Sequence, residues 1–589
     1  MKFNIKLKMK FKIWNYIVFA VMSIVLAAMI VANCLCSINA GAITNLLCGN
    51  GLRFDGEEVE AALAESDALV RKIGDESIVL LKNQGGAKEG EGILPLKANE
   101  RKLNLFGWSS TDAGFLLTGG GSGAATIQDE KKVTLADALR NVGGEERFEI
   151  NENLLKKYTD YASKREDKQG DDPVTLIEPG EPFYTEELMK EAKAFSDIAV
   201  ITISRWASEN MEIPYDQKKK GQSNDNSRTY LQISTEEEKL IELVTANFDK
   251  VIVLVNTANA MEMKFLDNEK IDAVLLVGLL GQSGTHAIRR VLTGEVNPSG
   301  RTADTYAYDL RSAPSYANKR RNDDHIHYVE GIYIGYKWYE TAFADKLKHE
   351  AYGKTFDYST EESYREVVQY PFGYGLSYSD FTWTVDSANL VMNGEKYELA
   401  GASVSNKKAS IEVKVTVTNT GDVAGMDVVQ LYYTPPYTPG QIEKSAVNLV
   451  AFAKTAVLEP EQSQELTLTF DLYDMASYDS YDMNKNGAST YELDKGKYSI
   501  KVMNNAHELN ECENAEIEFE IASNLNYKLD PKTKQIVKNR FTGDTAYAGV
   551  PIDGSTAGSK IEYLSRGNFG ETFPVDATPN RSGAEVSKA

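Results

Sequence analysis

The stretch ITISRWASENMEIPYDQ, Ile201 to Gln217, starts as an apolar, β-branched strand and ends with Glu209, Glu212 and Asp216. Side chains just past the carboxyl end of a buried parallel strand face the crevice where such sheets bind ligands. Arg205, Glu209, Glu212 and Asp216 are therefore candidates to line a cleft. Carboxyl groups there could transfer protons, provided that burial or a neighbouring charge keeps one of them protonated near neutral pH. With 86 acidic residues in the chain, most carboxylates only solvate the surface, so position is what singles these out.

A second stretch, LLTGGGSGAAT (Leu116 to Thr126), is rich in glycine. It lacks the Lys-Ser/Thr of a phosphate loop, and its spacing does not open a helix as a dinucleotide fingerprint does. Glycines here either let the backbone pass close to a neighbour or a ligand, or make no more than a flexible turn. Gly120, Gly121 and Ser122 join Arg205 and Asp216 as candidate substrate-binding residues. Aromatic residues gather in YVEGIYIGYKWYET (Tyr328 to Thr341) and YPFGYGLSYSDF (Tyr370 to Phe381); such rings either line a sugar site or pin a segment between two domains, and pinning is the preferred reading.

These motifs need elements to hold them. Between residues 57 and 380, apolar runs alternate with helix-sized segments: DIAVITIS, KVIVLVNT and IDAVLLVG read as strands buried on both faces, with KLNLFG the first of them. STEEEKLIELVTANF fits a covering helix, with Ser234 as N-cap and Glu237 three residues on. The fold class is α/β, an open and mostly parallel sandwich. From 381 to 523 the pattern changes to period two with NTGD, EPEQ and DKG turns, which predicts an all-β sandwich. Residues 524–589 read as a linker, or as a tail that packs on something else.

At 589 residues the chain is long enough for two or three domains, and 42% hydrophobic with 25% charged residues is a globular balance. A formal charge of -22 argues against a nucleic-acid partner. The first twelve residues hold five lysines, and none of residues 13–52 is charged. Residues 13–36 predict a transmembrane signal anchor behind a basic cytoplasmic start, with a cleaved signal peptide as the rival and the bulk of the chain outside the cell. Four cysteines make no disulfide framework, and His325 and His327 form an isolated HxH without metal-site company. No metal or organic cofactor is implied.

Taken in order, IGDESIVLLKN with ILPL, TGGGSGAAT, ISRWASEN, GEVNPSGRTADTY, EGIYIGYKWYET and YPFGYGLSYSDFTW resemble the family 3 glycoside hydrolases, a family of β-glucosidases and β-xylosidases. The later β segment resembles that family's fibronectin type III-like domain. The resemblance implies a retaining β-glycosidase, acting at non-reducing ends of β-linked oligosaccharides or aryl glycosides. Glu209 in ASEN stands where the family has its acid/base. Asn210 replaces the usual glycine and MEIPYDQ a compact Asp-Arg ending, which keeps Glu212 and Asp216 as alternatives. The family's nucleophile belongs to a (β/α)8 barrel of about 250 residues. In a permuted subgroup that barrel follows the fibronectin-like domain, and YLSRGNF resembles its approach. Only 66 residues follow Ser523 (589 less 523), so the barrel is expected outside this chain, in cis or in trans. The alternative is a noncatalytic surface protein that binds glycans or a partner.

Overall fold

The computed structural model describes residues 14–29, 31, 56–86, 91–121, 127, 129–140, 147–163, 176–208, 217, 223, 227–318, 328–480, 482–487, 489–537 and 563–575. The chain divides into two units, 1–69 and 70–589. In the first, residues 14–29 are helical and exposed. Among the described residues no helix is long and apolar enough to cross a membrane. The transmembrane helix expected over 13–36 is thus not supported, and the remainder of that stretch lies outside the described residues.

The second unit opens with a six-stranded sheet: β1 (Val79–Asn83), β2 (Lys102–Phe106), β3 (Glu149–Ile150), β4 (Ile198–Arg205), β5 (Lys250–Thr257) and β6 (Ala273–Leu276), in the order β1-β6-β5-β4-β2-β3. All neighbours run parallel except β1, which pairs antiparallel with β6. The first strand is therefore β1, within IVLLKN, and not KLNLFG. A lone apolar run does not declare its direction, and this one lies outside the alternation of strands and helices.

Burial on both faces explains the unbroken apolar strands. Val200, Ile252, Leu254 and Leu275 enter one core, while Ile201, Ile203, Val253 and Val255 enter the other. The helix Thr235–Asn247 covers part of the sheet and starts with the expected capping box, Ser234 Oγ accepting from Glu237 N and Glu237 Oε2 accepting from Ser234 N.

From Phe381 the chain forms two packed sheets, antiparallel except where Ser403–Val404 pairs parallel with Glu516–Ile521. One holds Glu395–Glu398, Phe381–Met392, Ser410–Asn419 and Ser463–Asp471; the other holds Ser403–Val404, Glu516–Ile521, Gly496–Met503, Val428–Thr434 and Asn448–Lys454. Alternation sends Ile411, Val413, Val415 and Val417 into the shared core. No sheet among the described residues has more than six strands, so a (β/α)8 barrel does not occur among them.

The α/β part and the sandwich are pinned together. Arg301, in NPSGR, donates to Asp427 Oδ1 at 2.7 Å, and Trp383 Nε1 donates to Asp427 Oδ2 at 2.7 Å. Tyr336 stacks on Phe372, with ring centroids 4.7 Å apart, and its hydroxyl accepts from Leu449 N. The aromatic stretches thus serve as pins. The tail is more than a linker: Leu525–Tyr527 pairs with Tyr491–Leu493, and Phe569 and Phe573 pack on Trp338. Arg566 anchors that segment with two 2.7 Å hydrogen bonds to Asp345 and one of 2.9 Å to Lys444 O.

Candidate active site

Parallel β2, β4, β5 and β6 bring their carboxyl ends to one edge of the sheet, where the glycine stretch and the chain leaving β4 meet. Asn256, fully buried near the end of β5, organises the junction. Its Oδ1 accepts from Leu116 N (2.7 Å) and Ser204 Oγ (2.9 Å), and its Nδ2 donates to Leu116 O (2.9 Å) and Gly278 O (2.6 Å). One side chain thereby fixes the start of the glycine stretch to the ends of β4 and β6. Sequence reasoning passed over it, although a lone amide inside KVIVLVNT was the signal.

Past Asn256's grip, Gly120 N donates to Ala207 O at 3.0 Å, and Gly120 forms a parallel bridge with Ser208. A Cβ at Gly120 would collide with the Trp206 ring and lie 2.6 Å from Ser208 Oγ, so only glycine permits this approach. Gly121 continues at φ +87°. Gly120 thus lies against Ala207 and Ser208, the two residues that precede Glu209 in sequence. Ser122, Glu209, Glu212 and Asp216, like His325 and His327, lie outside the described residues.

Arg205 does not face a cleft. Its side chain is 1% exposed and its donors are engaged: Nε with Tyr230 O (2.8 Å), Nη1 with Ser204 O (2.8 Å) and Glu237 Oε1 (2.9 Å), Nη2 with Gln232 O (2.6 Å) and Glu237 Oε2 (2.7 Å). The expectation of a substrate contact is corrected, because a buried guanidinium needs its partners inside the fold. Its role is to tie the end of β4 to residues 230–237.

Residues 228–232 also hold Gln217. Gln217 is fully buried: its N donates to Arg228 O (3.2 Å) and its Nε2 to Thr229 O and Gln232 O, each at 3.0 Å, while its Oε1 has no partner among the described residues. Both ends of the stretch 209–216 are therefore fixed, Ser208 to the glycine loop and Gln217 to residues 228–232.

Residues 78–336 match the glycosyl hydrolase family 3 C-terminal domain, and residues 427–506 match a fibronectin type III-like domain. The chain belongs to glycosyl hydrolase family 3. This family 3 chain is 33% identical over 441 residues to β-glucosidase A of Butyrivibrio fibrisolvens, covering 72% of this chain and 48% of that protein. A β-glucosidase structure from Paenibacillus barengoltzii aligns with TM-score 0.63 and 30% identity, over 79% of this chain and 44% of that one. Thermotoga neapolitana β-glucosidase 3B in complex with glucose aligns with TM-score 0.59 and 26% identity, over 79% and 55%. The chain spans about half the length of the relatives it matches.

One further acid, Glu178, lies at the carboxyl end of β2, where it holds Trp108. Glu178 is 4% exposed; its Oε2 accepts from Trp108 N (3.1 Å) and its Oε1 from the Tyr184 hydroxyl (2.8 Å), which in turn meets the Tyr158 hydroxyl (2.7 Å). Burial pushes its carboxyl up to about 8, against hydrogen bonds that favour the charged form, and nearby Glu237 adds to the rise. Glu178 is thus neutral at pH 7 and supports Trp108, at the carboxyl end of β2. A cleft of about 990 Å3 elsewhere, lined by Glu262, Asp309 and Arg311 among others, is an unsuitable rival, because Asp309 is already paired with Arg311 and Lys354.

Proposed function

We propose that this chain supplies the acid/base half of a retaining β-glycosidase of β-glucosidase type, with Glu209 as acid/base and the nucleophile on a (β/α)8 barrel outside this chain. The observation that supports it best is the backbone bridge between Gly120 and Ser208, which sets the glycine loop beside the residue preceding Glu209 at the carboxyl ends of the strands. The β-glucosidase relatives and the glucose-complexed neighbour favour a β-glucoside as substrate.

In this reading the Glu209 carboxyl gives its proton to the glycosidic oxygen while the barrel's carboxylate, about 5 to 5.5 Å away, attacks the anomeric carbon and the alcohol departs. Glu209, now a carboxylate, then takes a proton from water, whose oxygen attacks the anomeric carbon and releases the sugar. Gly120, Gly121, Ser122 and Asp216 would border the sugar. The lysine-rich start followed by an uncharged stretch suits an exported chain.

The test compares this chain with a version joined to its barrel, using an aryl β-glucoside. The chain alone is expected to be inactive and the joined form active, with Glu209→Gln lowering kcat/KM by about 10²–10⁴. Turnover by the chain alone, abolished by Glu209→Gln, would refute the external nucleophile. Full activity of a joined Glu209→Gln form would refute the acid/base assignment.

A further inference from the structure

A cavity of about 580 Å3 opens where residues 331–337, the sandwich loops 433–448 and 476–483, and the tail residues 563–565 meet. It shares no residue with the candidate active site. Ile332, Tyr333, Tyr433, Ile442, Tyr478 and Met483 make its walls largely apolar and aromatic. Its volume is within the ~300–1,000 Å3 typical of small-molecule sites.

Two lysines line this cavity, and they differ. Lys444 is ion-paired with Asp494 and donates to Pro436 O. Lys337 makes no ammonium hydrogen bond or ion pair among the described residues, and burial alone lowers its pKa, with no neighbouring carboxylate to oppose it. The carboxylates on the walls are engaged elsewhere. Glu443 accepts from the Tyr333 hydroxyl (2.5 Å), Ser565 Oγ (2.7 Å) and Arg566 N (3.0 Å), while Asp479 accepts from Met483 N (2.9 Å). An ammonium held partly out of water without a counter-ion is unfavourable, and the apolar walls around it are equally ill-matched to water.

We propose that this cavity is a binding site for an aryl carboxylate, with Lys337 Nζ taking the carboxylate and the tyrosine-rich walls taking the ring. A charge-assisted hydrogen bond at one end and ring contacts along the body satisfy both features at once. Because Tyr563, Leu564 and Ser565 form part of the wall, the bound acid also ties the tail segment to the sandwich, and binding raises the melting temperature by linkage.

Calorimetric titration of the full chain with cinnamate at pH 7 tests this, with cinnamamide as the uncharged analogue. Saturable binding of cinnamate is expected, at least about tenfold weaker for cinnamamide and for Lys337→Met, and retained in Lys337→Arg. Absence of saturable cinnamate binding would overturn the proposal, as would equal affinity for the amide or an unchanged Lys337→Met. Should Lys337→Met not fold, the comparison of cinnamate with cinnamamide on the unaltered chain decides.

Discussion

Arg205 and Glu237 meet as a bidentate pair, with N to O distances of 2.9 and 2.7 Å, and Glu237 at the same time caps the helix Thr235–Asn247 by accepting from Ser234 N. A single carboxylate therefore fixes a helix start and the exit of β4 together. Removing one member of a buried pair strands the other charge, which destabilises by about 3–5 kcal/mol. Glu237→Gln is expected to lower the urea midpoint accordingly, and more than Glu236→Gln in the same first turn.

Gly120→Ala tests the close approach of the glycine loop to Ser208. Its Cβ would meet the Trp206 ring and Ser208 Oγ, so one strand of the bridge must retreat. The expected loss is about 1–3 kcal/mol in stability. A displacement near 1 Å at a reacting group lowers rates by about 10²-fold, so barrel-joined enzyme carrying Gly120→Ala should fall in kcat by that order. Unchanged kcat would separate the loop from the chemistry.

Glu178 has a carboxyl raised to about 8 from an ordinary 4.5. The folded state binds this proton more tightly than the unfolded chain, so the group is stabilising in effect only while protonated. Stability attributable to it declines as pH rises from about 4.5 through 8. Glu178→Gln, neutral throughout and able to accept from Trp108 N, is expected to flatten that decline, read as urea midpoints between pH 5 and 9.

His349 behaves in the opposite sense. Both ring nitrogens are buried without a hydrogen-bond partner among the described residues, with Phe573 of the tail 4.5 Å away between ring centroids. Burial pushes its pKa down to about 4 from 6.5, with Glu350 opposing weakly. The native state binds this proton less tightly, so stability is full above about 6.5 and is lost as pH falls toward about 4. His349→Phe is expected to melt higher than the unaltered chain at pH 5 and to differ little at pH 8.

His507 joins the two lobes by placing Nδ1 2.8 Å from Glu340 Oε2 and Nε2 2.9 Å from Glu361 Oε2, its ring stacked on Tyr364. Burial alone would lower its pKa, but Glu340 and then Glu361 outweigh it and hold it above the ordinary value. The native state therefore binds this proton more tightly. Its contribution is complete below about 6.5 and disappears as pH rises through the folded-state pKa. Histidine ring resonances followed by NMR against pH should show one imidazole titrating late, absent in His507→Gln. An ordinary midpoint would contradict the bridge.

What the sequence determined by itself is what local pattern encodes. Continuous β-branched runs required a sheet buried on both faces, strict alternation after Phe381 required a sandwich, Ser234 with Glu237 required a helix start, and the ordered motifs carried the family. The glycine stretch was legible as a place of close approach, because absence of a Cβ is a local property. Only the tertiary structure decided which backbone Gly120 approaches, since Ser208 lies 88 residues away along the chain (208 less 120). It likewise turned Arg205 from a cleft candidate into a buried tie, as a guanidinium's partners are set by burial and not by its neighbours in sequence. The same holds for Asn256, Gln217 and Glu178. Each is an ordinary polar residue in the sequence, and each acquires its role from backbone groups that folding brings together.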